Sequence, residues 1–85
     1  MAKITRAAVR KMMEELLKRQ GKSLPDDESA RLQDVGFRSL DFAELALRVE
    51  SVIDGPLEFE AGVLRNIQHV KDVLDFMERS AGNAA

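Results

Sequence analysis

The chain of 85 residues contains no cysteine, and its apolar runs are short. Without cysteine there are no disulfide bonds and no thiolate metal sites, so the fold depends on the packing of its core. No apolar run approaches the ~20 residues that a helix needs to cross a bilayer. Only two prolines and five glycines interrupt the sequence, and runs of β-branched residues are few. These absences favour a soluble, largely helical protein.

A chain of this length forms one small domain and has no room for a second core. We predict that the domain spans residues 1–80 and that residues 81–85, Ala-Gly-Asn-Ala-Ala, form a flexible tail. The first six residues lack the apolar segment of a signal peptide. We therefore expect a cytoplasmic protein.

The formal net charge of −2 conceals an uneven distribution. Residues 1–22 hold seven basic and two acidic side chains, residues 23–64 hold three and ten, and residues 65–85 hold three of each. The acidic middle segment is expected to repel nucleic acid and to attract basic partner surfaces. The basic first segment has no interleaved aromatic residues and no nucleic-acid-binding motif, so we expect no nucleic-acid partner.

The first helix is predicted from a cap, an apolar stripe and a stop signal. Thr5 is a suitable N-cap, and Gly21 is suited to the left-handed position that follows a helix. We therefore expect a helix after Thr5 that continues to about Gln20. Its apolar residues recur with helical spacing at Val9, Met12, Met13 and Leu16, with Leu17 beside them. At this spacing the methionines indicate core packing rather than a metal or cofactor site.

Residues 21–38 are predicted to form a long loop because glycine, proline, serine and aspartate are frequent in them. A loop of this length is uncommon in a compact domain and needs anchors. The anchors that we expect are the apolar residues spaced through it, which are Leu24, Ala30, Leu32, Val35 and Phe37.

A second helix is predicted from Ser39 to about Ile53, ended by Asp54-Gly55-Pro56. The face expected in the core carries Phe42, Leu45, Val49, Val52 and Ile53, with Ala46 at its edge. The other side carries Leu40, Ala43, Leu47, Glu44 and Ser51, and Glu50 flanks them. This mixture of apolar side chains and carboxylates is compatible with a docking surface, and equally with scattered surface leucines that have no function.

The last third of the chain is predicted to contain a short helix around Phe59–Leu64 and a longer final helix. The final helix should begin near Asn66–His69 and end near Arg79 or Ser80. Its apolar residues recur at Val70, Val73, Leu74 and Met77. The predicted fold is therefore all-α, a small bundle of three main helices plus one short helix, with a long loop between helices one and two.

The residues from Asp34 to Leu45 form the most specific motif in the chain. They read D-x-G-x-x-S-L-D-x-x-E-L, and Ser39 falls where the predicted loop ends and the predicted helix begins. The motif resembles the signature of acyl carrier proteins, in which this serine bears 4′-phosphopantetheine. The similarity can be followed from about Ile4 to Met77. One position departs from it, because most carriers have aspartate where this chain has Arg38.

The resemblance implies a function for Ser39 and a set of partners. A phosphopantetheinyl transferase would attach the arm from coenzyme A to Ser39, and the arm would carry acyl intermediates as thioesters in fatty-acid, polyketide or related biosynthesis. The acyl-loading and acyl-processing partners are expected to have basic docking surfaces, and the carrier to be a monomer. The residues expected to meet these partners are Leu40, Asp41, Ala43, Glu44, Leu47 and Glu50.

We expect no enzymatic activity and no metal site. A nucleophilic Ser39 would need a base, and the chain has a single histidine, His69. No histidine or carboxylate group has metal-ligand spacing, and no glycine-rich phosphate loop is present.

Two other functions are compatible with the sequence. A carrier of aminoacyl or peptidyl groups in nonribosomal synthesis would use Ser39 in the same way. A small helical adaptor without a prosthetic group would instead bind a partner through Leu40, Ala43 and Leu47. Serine is also a common helix cap, so Ser39 outside its motif would indicate only a structural role.

Overall fold

The computed structural model of the chain describes residues 4–57 and 61–82. Within these residues there is no β-strand, and the single β-bridge joins Arg31 to His69. The prediction of a small all-α bundle is confirmed. The helices are α1 (Arg6–Lys18), α2 (Leu32–Val35), α3 (Ser39–Ile53), α4 (Ala61–Arg65) and α5 (Val70–Gly82).

Helix α1 begins and ends where its local signals indicate. The Thr5 Oγ1 atom accepts a hydrogen bond from the amide of Ala8 at 3.1 Å, which confirms Thr5 as the N-cap. The helix ends at Lys18, and a turn follows in which the amide of Lys22 donates to the Leu17 carbonyl at 2.9 Å. Gly21 has φ of +74°, the left-handed conformation that glycine adopts without cost.

The predicted loop contains a helix that the sequence did not predict. Helix α2 has only four residues, so no periodic pattern marks it. Its first residue, Leu32, is buried together with Phe37, and both belong to the core as expected. The loop is also bound to the start of α5, since the amide of Leu32 donates to the Gln68 carbonyl at 2.9 Å.

Helix α3 has the predicted bounds, and its C-cap Asp54 has φ of +56°. The core face is confirmed at Phe42, Leu45, Ala46, Val49 and Ile53. The prediction that Val52 shares this face is wrong, because Val52 is 44 % exposed. At 100° per residue Val52 lies at the edge of the buried stripe, and it falls in the last turn of the helix.

The last two helices lie close to their predicted positions. Helix α4 covers part of the segment predicted around Phe59–Leu64, and residues 58–60 of that segment lie outside the described residues. Helix α5 begins at Val70 and continues to Gly82, so the first two residues of the predicted tail are helical. The rest of that tail, residues 83–85, also lies outside the described residues.

Helix α1 packs against both α3 and α5, so the core lies between the three longest helices. Ion pairs reinforce this arrangement at the start of α1. The guanidinium of Arg6 lies 2.7 Å from Glu28 in the loop and 2.6 Å from Asp75 on α5. The hydrogen bond to Glu28, followed by that to Asp75, raises the pKa of Arg6 above its usual range. The loop and α5 are thereby held to one residue of α1.

None of the helices in residues 4–57 and 61–82 has the length and apolar character needed to cross a bilayer.

Candidate functional site

Ser39 is the first residue of α3, and its side chain is exposed. Helix α3 begins with Arg38 as N-cap, so the first intrahelical bond runs from the Phe42 amide to the Arg38 carbonyl at 3.0 Å. The three preceding amides, those of Ser39, Leu40 and Asp41, have no backbone acceptor within the described residues. They project from the positive end of the helix dipole beside the Ser39 hydroxyl.

The close approach of the loop to α1 explains the glycine three residues before Ser39. Gly36 is the C-cap of α2 and has φ of +85°. A Cβ atom at Gly36 would lie 3.0 Å from side-chain carbons of Lys22. The Nζ atom of Lys22 donates to the Gly36 carbonyl at 3.0 Å. The left-handed backbone therefore favours glycine at this position, and a Cβ would also require the end of the Lys22 side chain to shift.

Asp41 caps the first turn of α3 instead of facing a partner. One carboxylate oxygen accepts the amide of Arg38 at 2.8 Å, and the other accepts Nε2 of Gln20 at 2.7 Å. Only 8 % of the Asp41 side chain is exposed. Desolvation raises the pKa of Asp41, but the bonds from Arg38 and Gln20 and the nearby positive charges together hold it below its usual value. The carboxylate thus remains charged and bound inside the protein.

Arg38 occupies the position where an N-cap usually supplies an acceptor, and arginine has none. The side chain is 66 % exposed and turns towards the end of α1, where Nη2 lies 3.2 Å from Oε1 of Gln20. Its Nε atom lies 3.7 Å from the Asp41 carboxylate. The departure from the carrier motif therefore leaves the first-turn amides without a side-chain cap and adds a cation beside Ser39.

A cleft opens beside Ser39 between α2, the start of α3 and the segment that follows α4. Its volume is about 630 Å³, and Ser39 lies among its lining residues. Among the described residues, the lining contains apolar and polar side chains but no carboxylate. The apolar members are Leu32, Phe37, Phe42, Leu64 and Ile67, and the polar members besides Ser39 are Arg31, Gln33, Arg38 and Gln68. Such a cleft offers both apolar contact and hydrogen-bond donors to a group bound near Ser39.

The other predicted partner residues on α3 fall into two groups. Leu40 is 74 % exposed, Leu47 is 65 % exposed, and Ala43 is exposed beside them. The carboxylates of Glu44 and Glu50, by contrast, already have partners within the protein. The apolar part of the predicted surface is therefore available to another molecule.

The bonds of the two glutamates change the charge of this face. Glu44 accepts a hydrogen bond from Arg19 at the end of α1, and Arg48 lies 3.4 Å from the same oxygen. Glu50 accepts the amide of Leu57 at 2.7 Å and so holds the chain beyond the end of α3. Neither glutamate presents an unpaired carboxylate.

The histidine of the chain, His69, lies at the cap of α5. Its Nδ1 atom lies 3.2 Å from Asp72, which also accepts the amides of Gln68 and His69 and so caps α5. The described residues contain no group of three or more histidine, cysteine or acidic side chains that is arranged to hold a metal ion.

Sequence reasoning missed two residues after α1 that hold the site. The sequence predicts Gln20 only as the end of the first helix and Lys22 only as part of the loop, and no periodic or motif signal marks them as neighbours of α3. Arg31 was likewise unassigned, although it lines the cleft beside Ser39.

No protein-family model, curated protein or solved structure matches this chain.

Proposed function

We propose that this chain is an acyl carrier protein with 4′-phosphopantetheine attached to the hydroxyl of Ser39. The observation that carries the proposal is the position of Ser39 in the D-x-G-x-x-S-L-D-x-x-E-L motif, at the exposed start of α3 and beside an open cleft. A transferase can reach such a hydroxyl without any rearrangement of the core.

The groups around Ser39 are suited to a phosphodiester. The amides of Ser39, Leu40 and Asp41 are donors at the positive end of α3, and helix N-termini bind phosphate in this way. Arg38 adds a cation at the same end of the helix. The described residues thus offer hydrogen-bond donors and positive charge where the negatively charged phosphodiester would lie. When bound, the arm supplies a terminal thiol on which acyl groups are carried as thioesters.

We assign no catalytic residue to the chain. The hydroxyl of Ser39 has no side-chain hydrogen-bond partner in the described part of the chain, so it has no base of its own. The base for its modification then comes from the transferase, and the chemistry on the acyl group comes from the enzymes of fatty-acid, polyketide or related biosynthesis. This chain contributes the attachment point and the surface that those enzymes recognise.

A helical adaptor without a prosthetic group is the second candidate. Leu40 and Leu47 favour it, because two large apolar side chains this exposed on one helix are suited to a protein partner. The adaptor would need these side chains but not the hydroxyl of Ser39.

Intact-mass measurement separates the two functions. The chain is incubated with coenzyme A and a broad-specificity phosphopantetheinyl transferase, and we expect its mass to increase by one phosphopantetheine group. Ser39→Ala should abolish the increase while changing the free energy of unfolding by less than about 0.5 kcal/mol, because the side chain is exposed. Ser51→Ala, on the same helix and also exposed, is the matched control and should be modified normally. An unmodified parent, or a modified Ser39→Ala variant, would contradict the proposal.

A further inference from the structure

We propose that the surface around Ser39 is cationic and that it docks onto partner proteins whose contact surface carries carboxylates. The inference deepens the proposed function and rests on it. It reverses the charge complementarity that the acidic middle segment suggested. We call this surface the docking face, defined by Arg19, Arg38, Leu40, Leu47 and Arg48 around Ser39.

The carboxylates that the sequence places on the docking face are bound within the protein. Asp41 is buried and its two oxygens accept separate hydrogen bonds. Glu50 accepts a backbone amide beyond the end of α3. Glu44 is shared between two guanidinium groups. A partner that offers arginine or lysine would have to displace one of these contacts before it met a free carboxylate.

The cations of the docking face are compensated less completely. Arg19 and Arg48 share the single charge of Glu44, which leaves one positive charge in excess. Lys18 lies with these two arginines in a shallow depression that also contains Glu15. Arg38, at the start of α3, pairs with the buried Asp41, and Asp41 also feels the charge of Lys22. Among the described residues of the docking face, the guanidinium groups of Arg19 and Arg38 are therefore the most exposed charges, at 60 % and 66 % against 46 % for Glu44 and 8 % for Asp41.

The described residues that line the cleft beside Ser39 also carry positive charge. Among these described residues, Arg31 and Arg38 are charged and none is acidic. The exposed acidic residues nearest to Ser39 along the chain are Asp34 on α2 and Glu44 on α3, each five residues away, and neither is among the described lining residues. An anionic group on a partner would meet guanidinium groups on both sides of the attachment point.

The acidic residues collect near the other end of α1. Arg6 pairs with Glu28, Asp75 and Glu78, and Arg10 lies 3.6 Å from Asp26. The thirteen residues of α1 span about 20 Å between these two regions. That exceeds the Debye length of ~8 Å at physiological ionic strength, so a partner at Ser39 is screened from the acidic end.

The docking face also has the composition of a protein-binding surface. Leu40 and Leu47 supply exposed apolar contact on one side of α3, and the arginines lie around them. Arginine at such a surface favours bidentate pairing with carboxylates. Charge complementarity of this kind raises the association rate and selects among partners.

The sign of the salt dependence tests the inference. Two versions of one broad-specificity phosphopantetheinyl transferase serve as probes, one with lysine and arginine on the surface that contacts the carrier and one with glutamates at those surface positions, all chosen outside the residues that bind coenzyme A. Loading of the apo chain at saturating coenzyme A is followed by intact mass as kcat/KM for the carrier while salt is raised from ~0.01 M to ~1 M, which shortens the Debye length from ~30 Å to ~3 Å. We expect loading by the acidic version to fall about tenfold or more, and loading by the basic version to rise.

Charge-reversed carriers identify the residues responsible. Arg19→Glu/Arg48→Glu should reverse both salt dependences. The neutral pair Arg19→Gln/Arg48→Gln should make loading by both versions nearly independent of salt, and it avoids placing two new glutamates beside Glu44. Arg79→Glu is the matched control: it reverses an exposed arginine in the last turn of α5, beside Glu78, and should behave as the parent.

Two results would overturn the inference. Loading of the parent by the basic version that falls with salt would show that the docking face is acidic. Equal salt dependence with both versions would show that the transferase docks elsewhere. If neither version loaded the chain, that result would instead overturn the proposed function, and the inference with it.

Discussion

Replacing Asp41 by alanine removes a carboxylate that the sequence assigned to a partner and that the structure uses inside the protein. The side chain accepts the Arg38 amide at 2.8 Å and Nε2 of Gln20 at 2.7 Å, and 8 % of it is exposed. Asp41→Ala would leave both donors without this acceptor. It would also remove the negative charge that faces the positive end of α3.

The expected loss of stability follows from these contacts. Hydrogen bonds to a charged acceptor contribute about 1.5–3 kcal/mol each, and loss of a capping side chain costs about 1 kcal/mol. Because the contributions overlap, we expect the free energy of unfolding to fall by about 3 kcal/mol. A domain of this size has only about 4–13 kcal/mol in total. The Tm should fall by roughly 12–24 °C.

Thermal and urea unfolding followed by circular dichroism measure this change. The control is Glu44→Ala, which removes an acidic side chain one turn later on the same helix. Its carboxylate is about half exposed and pairs only with surface arginines, so the loss should be below about 1 kcal/mol. An Asp41→Ala variant that unfolds within about 0.5 kcal/mol of the parent would refute the capping role and return Asp41 to the docking face.

The pH dependence gives a second measurement of the same carboxylate. The folded-state pKa of Asp41 lies below the unfolded value of about 3.9, so its stabilisation is present above that value. It is lost as the pH falls through the folded-state pKa. The difference in stability between the parent and Asp41→Asn should therefore be constant from neutral pH to about pH 5 and should shrink in more acidic solution. A difference that grew on acidification would contradict the sign of this pKa shift.

Two further predictions concern the core and the turn before Ser39. Leu45→Ala should cost roughly 2–5 kcal/mol in urea unfolding because Leu45 is fully buried, whereas Leu47→Ala on the exposed side should stay within about 0.5 kcal/mol, and equal losses would contradict the helix orientation. Gly36→Ala should lower stability by at least about 1–2 kcal/mol, since its φ is +85° and a Cβ would meet Lys22 at 3.0 Å. In a Lys22→Ala background, where the steric contact is absent, Gly36→Ala should still lower the Tm through backbone strain, and a Tm equal to that of Lys22→Ala would show that this strain is absent.

The fold was predictable because its signals are local and repeated. The bounds of α3 followed from an apolar stripe with helical spacing and from the stop at Asp54 to Pro56. The start of α1 followed from Thr5 in the same way. The four residues of α2 carry no such repetition, and Val52 shows that a spacing rule loses accuracy at the edge of a stripe.

The chemistry of the site was less predictable because it depends on contacts between distant segments. Ser39 was identified from its motif, and the structure places it at the exposed start of α3. The roles of Asp41 and Glu44 could not be read from α3 alone, since their partners Gln20 and Arg19 lie more than twenty residues earlier. A charge count along the chain assigns these carboxylates to the surface, whereas only the packing of α1 against α3 shows how they are bound.

The backbone bonds between the loop and α5 have a consequence for the timing of the modification proposed at Ser39. The Val70 amide donates to the Ala30 carbonyl at 3.0 Å, and the Lys71 amide donates to the Glu28 carbonyl at 2.8 Å. These bonds link segments about forty residues apart, so the loop that leads to Ser39 lacks its supports until residues 68–71 have left the ribosome. A nascent chain that ends after α3 would display the motif without the geometry around it. On the proposed function, we therefore expect Ser39 to be modified only after translation has passed α5, when residues 28–32 and 68–71 are hydrogen-bonded to each other.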